Sequence, residues 1–429
     1  MALLLENIRC IDPSVGLDEV TNIAIKEGKI VEVSPKASVA KGERRDLSGK
    51  VAFPGLVDMH VHLREPGHEY KEDIASGGRA AARGGFSAVC AMPNTSPVCD
   101  SGSRVTFIRE KALAVTKTRV HVTGAITLGL KGESLAEMGD MYLQGAVAFT
   151  DDGRGVQDNG LARLAMDYAK QFKVPILQHC ELEDLSGKGV VNEGVVSTRL
   201  GLAGWPATAE ELQIARDIAL AELTGCALHI QHITTAKGVS LVQNAKEQGM
   251  AVSCEVTPHH LFLSEDDLDT TYNTALKMNP PLRTRLDNEA LQCALAKGII
   301  DCIVTDHAPH AAHEKALEFE LAPFGTTGLE TALGTVLTHL VAPGKLSYAQ
   351  LVERMAHAPR RILNLEPVAL KAGSAADITI IDPDEVWTAG ADGWQSKSAN
   401  NAFTGQVFKG RATDVYVDGY ASLQDGVVQ

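Results

Sequence analysis

The sequence predicts an α/β protein: an eight-stranded β/α barrel with a small composite β-sandwich domain built from both chain ends. Three observations carry that prediction. From residue 53 onward, apolar runs of five to eight residues alternate with helix-patterned segments, and eight such runs occur. These runs are apolar on both faces, as strands of a parallel sheet must be when helices cover them. Before residue 53 and after about residue 370 the pattern changes to short alternating segments separated by tight turns. The expected division is therefore 1–53 for the N-terminal part of the small domain, 54–369 for the barrel and 370–429 for the C-terminal part. A length of 429 residues suits one large domain with a smaller companion.

In chain order, LLLENIRCID, NIAIKEGKIVEVS with a Glu27-Gly28 turn, and DLSGKVAF read as strands of the small unit. The barrel runs are GLVDMHVHL, FSAVCAMP, VHVTGAIT, GAVAFTDD, VPILQHCE, ALHIQHIT, MAVSCEVT and IIDCIVTDH. Helical segments fall between them, as in LARLAMDYAKQF, where positions 161, 164, 165 and 168 share one face. The helix after the fifth run opens with Thr208 and Glu211 at capping-box spacing and stops at Gly225. GLETALGTVLTHLV and YAQLVERMAHAPRRIL close the barrel region, after which ADITIID and GQVFKGRATDVYVDGYAS return to strands. The glycines of GGRAAARGG precede a strand instead of following one, so they are a weak nucleotide signal.

Composition narrows the function. A formal charge of −14 and a pI near 5.5 repel polyanions, which argues against nucleic acid and anionic membrane as partners. An anionic small substrate then needs arginine or histidine placed locally. The eight cysteines are scattered without a Cys-x-x-Cys, as expected of reduced, mostly buried thiols in a cytoplasmic protein. The opening MALLLENIRC has no basic stretch before its short apolar patch, and no apolar run reaches the roughly 18 residues of a membrane span.

The chemistry centres on FPGLVDMHVHLREPG. His60 and His62 lie two apart on the first barrel run and leave the same face, roughly 6.6 Å apart at the backbone. Two imidazoles can converge on one ion across that gap. Arg64 keeps the same parity and is suited to a bidentate grip on a carboxylate. Strand carboxyl ends of a β/α barrel meet at one mouth. The polar residues at those ends are His60 and His62, Asp151 or Asp152, His179, His232 and Asp306. On the sixth run His232 shares parity with Leu228 and Ile230 while His229 faces the other way, so one of the two should meet the helix layer; with His232 taken as the ligand, that one is His229. His259 and His260 stay undecided; His68, His121, His339 and His357 are read as structural or solvated. Four histidines and two carboxylates suit zinc or a similar borderline ion, with enough ligands for two metals sharing a bridging aspartate. Asp306 is placed to orient a water and carry its proton to a leaving nitrogen.

The segments DMHVHLREPGHEYKEDIASGGRAAARGGF, AMPNT, FTDDG, QHCE, HITT, KMNPPLR, TDHAPH, LAPFGTTGLE and SKSANNAFTGQVFKG resemble the dihydroorotase family of the amidohydrolase superfamily, in its class I bacterial form. The likeness runs through essentially the whole chain. It implies that His60, His62 and Asp306 hold one zinc, that His179 and His232 hold a second, and that Asp152 bridges them. It also implies that Arg64, Asn94 and His310 hold the substrate carboxylate with His62 nearby, while Asn279, Phe324 and Gly325 contact the ring. The implied reaction is the zinc-dependent, reversible closure of N-carbamoyl-L-aspartate to L-dihydroorotate and water, with Asp306 as general acid and base. Homodimerisation and a complex with aspartate carbamoyltransferase are the partners the likeness implies. Hydantoinase and allantoinase are the enzymatic rivals, and a noncatalytic scaffold is a rival of another class. Many hydantoinase-like relatives use a carboxylated lysine at the fourth strand, and GAVAFTDDG has no lysine. The polar segment 311–323 is expected to act as a mobile lid.

Overall fold

The computed structural model describes residues 2–429. Each predicted barrel run holds one strand: Leu56–Val61, Phe86–Ala91, Arg119–Gly124, Ala146–Phe149, Ile176–Gln178, Leu228–Ile230, Val252–Val256 and Cys302–Ile303. Strands adjacent in sequence are adjacent in the sheet, and the pairings are parallel. The His62 N–H donates to the His307 carbonyl at 2.9 Å, which draws the first strand against the eighth and nearly closes the barrel.

Both faces are covered, as the apolar runs require. Met59, Cys90, Ala148, Leu177, Cys302 and Val304 form an inner cluster. Leu228, Ile230, Val252 and Val256 pack outward in one cluster with Ile214, Val239, Val242 and Leu291 of the surrounding helices.

Small residues in the first barrel helix, Ile74–Gly84, serve this packing and not a phosphate. A β-carbon on Gly78 would lie 2.2 Å from Thr116 Oγ1, and one on Gly84 would lie 2.0 Å from the Leu329 carbonyl oxygen. The neighbouring chain therefore sits where a side chain would otherwise be. Gly84→Ala is expected to lower stability by about 1–3 kcal/mol through overpacking. A denaturation midpoint equal to that of the parent would refute that close approach.

The helix Thr208–Thr224 ends at Gly225 as expected, with Gly225 at φ +69°. Its start differs. Ala207 already has helical geometry (φ −55°, ψ −30°), so Thr208 lies inside the first turn and forms no capping box. Glu210 turns inward instead, accepting from the Thr234 N–H at 2.8 Å beside Arg283, with 3.5 Å between their charged atoms.

The chain ends join in one nine-stranded mixed sheet. Its seam is Val51–Pro54, which pairs parallel with Ala2–Asp12 and antiparallel with Ile378–Thr388. Leu3, Leu5, Ile8, Ile23, Ile25, Ile378, Ile380 and Tyr416 form the core of this unit. The seam strand leads directly into the first barrel strand through Gly55, whose carbonyl accepts from buried Arg360 at 2.6 Å. The histidine-bearing strand is thereby held from below by the joined ends. No cysteine is paired, and seven of the eight are buried. Among the described residues no helix is long and apolar enough to cross a membrane.

Candidate metal centre and substrate pocket

Strand ends bring His60, His62, Asp152, His179, His232 and Asp306 to one buried point at the barrel mouth. Asp152 lies at its middle. Its Oδ1 is 3.3 Å from His60 Nε2, 3.6 Å from His179 Nδ1 and 3.7 Å from His232 Nε2, while Oδ2 is 3.4 Å from His62 Nε2. Asp306 Oδ1 lies 3.0 Å from His62 Nε2 and 3.5 Å from His60 Nε2. Ligands about 2.0–2.1 Å from a tetrahedral ion stand roughly 3.3–3.4 Å from one another. The observed spacings straddle that value.

Other features of the donor set also fit a metal. His60 Nε2, Asp152 Oδ1 and His232 Nδ1 are buried without a hydrogen-bond partner, a costly state that a bound cation relieves. Two groups of potential ligands share His60: His60, Asp152 and His232, and His60, His62 and Asp306. His179 adjoins the first group, with its Nδ1 at 2.9 Å from His232 Nε2. Together they form a candidate two-metal centre. Burial works to raise the Asp152 carboxyl, but the His60 charge and the His179 and His232 imidazoles facing its oxygens outweigh it and hold Asp152 well below the ordinary range. Burial likewise opposes ionisation of Asp306, and His60 and His62 overcome it. His179 shifts the other way: burial disfavours its charge, and the nearby carboxylates of Asp152 and Glu181 push it up to about 9. Anionic oxygens thus draw positive charge into a place with little solvent, and metal ions compete with protons for it.

The two neighbouring aspartates separate cleanly. Asp151 Oδ1 accepts from the Ile126 and Thr127 N–H groups at 2.8 and 3.0 Å, so it braces the loop after the third strand. Asp152 alone reaches the centre.

His229 requires a correction. It does not meet the helix layer: its Nε2 lies 3.1 Å from Glu255 Oε2 and its Nδ1 2.8 Å from Ser253 Oγ, inside the barrel. Leu228 and Ile230 are the residues that face the helices. His232 nevertheless reaches the centre, because the strand ends at Ile230 and His232 has a left-handed backbone at φ +30°. Arg64 (φ +61°) and Asp306 (φ +46°) share that uncommon conformation, which concentrates at functional sites.

Sequence reasoning missed Glu255. Its Oε1 lies 2.6 Å from His60 Nδ1, which leaves Nε2 aimed at the centre. Burial raises Glu255, and His60 and His229 outweigh that to hold it at about 2. The available signal was a lone carboxylate inside the apolar run MAVSCEVT. Asn94 Oδ1 stands behind His62 in the same way, 2.8 Å from Nδ1. If Asn94 accepts there, its amide N–H groups face the pocket. Glu255→Gln is expected to weaken metal binding about 10–100-fold, measured by competition with a chelator; unchanged affinity would remove Glu255 from the support of the centre.

Beside the centre opens a cavity of about 160 Å³ lined by Arg64, Asn94, Asn279, His310, Phe324 and Gly325, all six of the predicted substrate positions outside the ligand set. Arg64 Nε donates to the Pro309 carbonyl at 3.1 Å, which directs the guanidinium. Its Nη2 lies 3.3 Å from His310 Nε2. Burial, with Arg64, Lys71 and Lys315 nearby, pulls His310 down to about 2, so its ring is neutral. Three further histidines have other work. His260 bonds Thr257 Oγ1 and the Pro280 carbonyl, His357 meets Asp12 at 3.0 Å, and His339 packs between Phe262 and Phe408. The 311–323 segment contains a short helix, Ala312–Lys315, and buries Phe319 and Ala322, two anchors that its polar composition concealed.

Comparison with known proteins agrees with this geometry. A family model described as dihydro-orotase-like matches residues 49–238. The dihydroorotase of Pelotomaculum thermopropionicum is 48% identical over 429 residues, covering 100% of both chains. That of Geobacter metallireducens is 48% identical over 420 residues, covering 98% of this chain and 99% of its own. Among solved structures, L-hydantoinase (dihydropyrimidinase) from Arthrobacter aurescens superposes with a TM-score of 0.89 at 26% identity, covering 100% of this chain and 97% of the other. Dihydropyrimidinase from Brevibacillus agri NCHU1002 gives 0.87 at 20% identity over 100% and 96% of the two chains, a likeness of fold. Sharing its whole length with dihydroorotases at nearly half identity, the chain belongs to the dihydroorotase family and is a cyclic amidohydrolase.

Proposed function

We propose that the protein closes N-carbamoyl-L-aspartate to L-dihydroorotate and water, and catalyses the reverse, within the 54–369 barrel. The observation that carries this reading is the convergence of Arg64, Asn94 and His310 on a cavity whose other wall is the His/Asp cage. His60, His62 and Asp306 would hold one zinc, His179 and His232 a second, with Asp152 between them. Zinc bound there lowers the pKa of water to near neutrality and polarises a carbonyl.

The chain's own groups do the rest. Arg64 and His310 take the ring carboxylate, and Asn94 donates to it from an amide fixed by His62. Asn279, Phe324 and Gly325 enclose the ring. In hydrolysis the oxygen of water adds to the ring carbonyl and the carbon–nitrogen bond breaks. Asp306 takes the proton from the water and delivers it to the departing nitrogen; ring closure reverses each transfer. Asp306 suits this by position: it lines the cavity beside the metal ligands, with its Oδ1 3.0 Å from His62 Nε2.

Turnover of L-dihydroorotate and of an uncharged hydantoin by the purified chain, with bound zinc quantified on the same sample, tests the reading. Turnover of dihydroorotate alone supports it. Turnover of hydantoin alone would move the protein to the activity that its structural neighbours carry in their names. Homodimerisation and association with aspartate carbamoyltransferase in the cytoplasm belong to the same proposal. Light scattering on the chain, alone and with the transferase, reads out the assembly.

A further inference from the structure

Lys277 is the most deeply buried lysine and its ammonium makes no ion pair with a carboxylate: it is 2% exposed, and its Nζ donates to the Glu320 carbonyl at 2.9 Å and the Ala322 carbonyl at 2.7 Å. The same ammonium lies 4.5 Å above the Phe324 ring and 5.7 Å from that of Phe319. Lys315 approaches the same segment and donates to the Pro323 carbonyl at 2.8 Å and the Gly325 carbonyl at 3.0 Å. Four carbonyls of one short stretch are thus satisfied by two lysines. The Gly325 N–H in turn donates to the Lys277 carbonyl at 2.7 Å.

Burying an ammonium without a carboxylate is costly, and lysine is rarely buried unless paired. Helix or sheet would satisfy those carbonyls more cheaply, but a segment that crosses the pocket rim has no ladder to join. Pro323 also contributes no N–H. We infer that Lys277 and Lys315 form a two-ammonium clamp that positions the 316–325 segment, and with it Phe324 and Gly325, against the substrate. They are positioning residues for substrate binding and take no part in proton transfer. Burial pulls Lys277 down to about 8, and burial with Lys277 nearby brings Lys315 to about 7. Either protonation form keeps the two donors that each lysine uses, so the clamp does not depend on charge alone. The link from clamp to substrate rests on the function proposed above; the clamp itself does not.

The test is hydrogen exchange by mass spectrometry on the full zinc-loaded enzyme, comparing the parent with Lys277→Met and Lys315→Met, together with steady-state kinetics on L-dihydroorotate. Loss of two hydrogen bonds per lysine is expected to speed exchange of peptides within 316–325 about 10–100-fold. Barrel-strand peptides and zinc content should stay at parent values. KM should rise about tenfold and kcat change less than about threefold, the split expected when binding is lost and chemistry is kept. Lys315→Arg, which retains donors, should restore protection. Should Lys277→Met fail to fold, the Lys315 variants decide the question. Parent-like exchange in 316–325 would overturn the clamp; faster exchange with unchanged KM would overturn its role in binding. A parent enzyme that ignores dihydroorotate would refute the proposed substrate while the exchange data still decide the clamp.

Discussion

Asp306→Asn is expected to lower turnover of L-dihydroorotate by about 10²–10⁴-fold, the usual contribution of a positioned general acid or base. The substitution keeps the shape of the side chain and removes its charge and its proton affinity. An amide at this position would also turn one face from acceptor to donor, next to His62 Nε2 at 3.0 Å. Both directions of the reaction must fall by the same factor in kcat/KM, because the equilibrium constant is fixed. Bound zinc needs to be measured alongside, since Asp306 groups with His60 and His62 as a potential ligand. If metal content holds and turnover collapses, the proton-carrying role is supported. Retention of more than a tenth of parent turnover, with zinc bound, would exclude it.

Several particular residues show how far the sequence could be read. The eight apolar runs locate eight strands because a parallel sheet buried on both faces leaves a continuous apolar signature. The His60/His62 pair locates the mouth because ligand spacing is local. Joining of the chain ends was also legible, through a change of period at residues 53 and 370. What failed was parity carried past a strand's end. Alternation holds only while the backbone stays extended, and on the sixth run it assigned His229 outward and His232 inward by one continuous pattern. In fact the pattern is reversed within the strand, and a left-handed residue re-aims His232. Thr208 failed for a similar reason, since a capping box depends on which residue first leaves helical geometry, and here that lies before Ala207. Glu255, Lys277 and Lys315 could not be found by motif at all. Their partners lie in other elements, His60 for Glu255 and the carbonyls of residues 320–325 for the lysines. Such contacts between distant residues belong to tertiary structure, and only the oddity of a charge in a buried position hints at them.

Arg64→Met is expected to lower kcat/KM for L-dihydroorotate by about 10²–10⁴-fold, because two charge-assisted hydrogen bonds at about 1.5–3 kcal/mol each are removed. A neutral hydantoin should lose far less, since it has no carboxylate to offer the guanidinium. The selectivity argument therefore concerns a ratio, and the ratio can be followed even when absolute rates are low. Arg64→Lys sharpens the test. Lysine keeps the positive charge but cannot reproduce the planar fork, nor can it hold the Pro309 carbonyl while facing His310. If charge alone selects the substrate, Arg64→Lys retains most of the preference for dihydroorotate; if geometry selects it, Arg64→Lys behaves like Arg64→Met. The fixed guanidinium, with one edge committed to Pro309 and the other 3.3 Å from a neutral imidazole, favours geometry. The expected order of kcat/KM is parent well above Arg64→Lys, with Arg64→Lys within about tenfold of Arg64→Met. Equal turnover of dihydroorotate by parent and Arg64→Met would separate this cavity from carboxylate recognition, and with it the feature that distinguishes the proposed substrate from the uncharged cyclic amides.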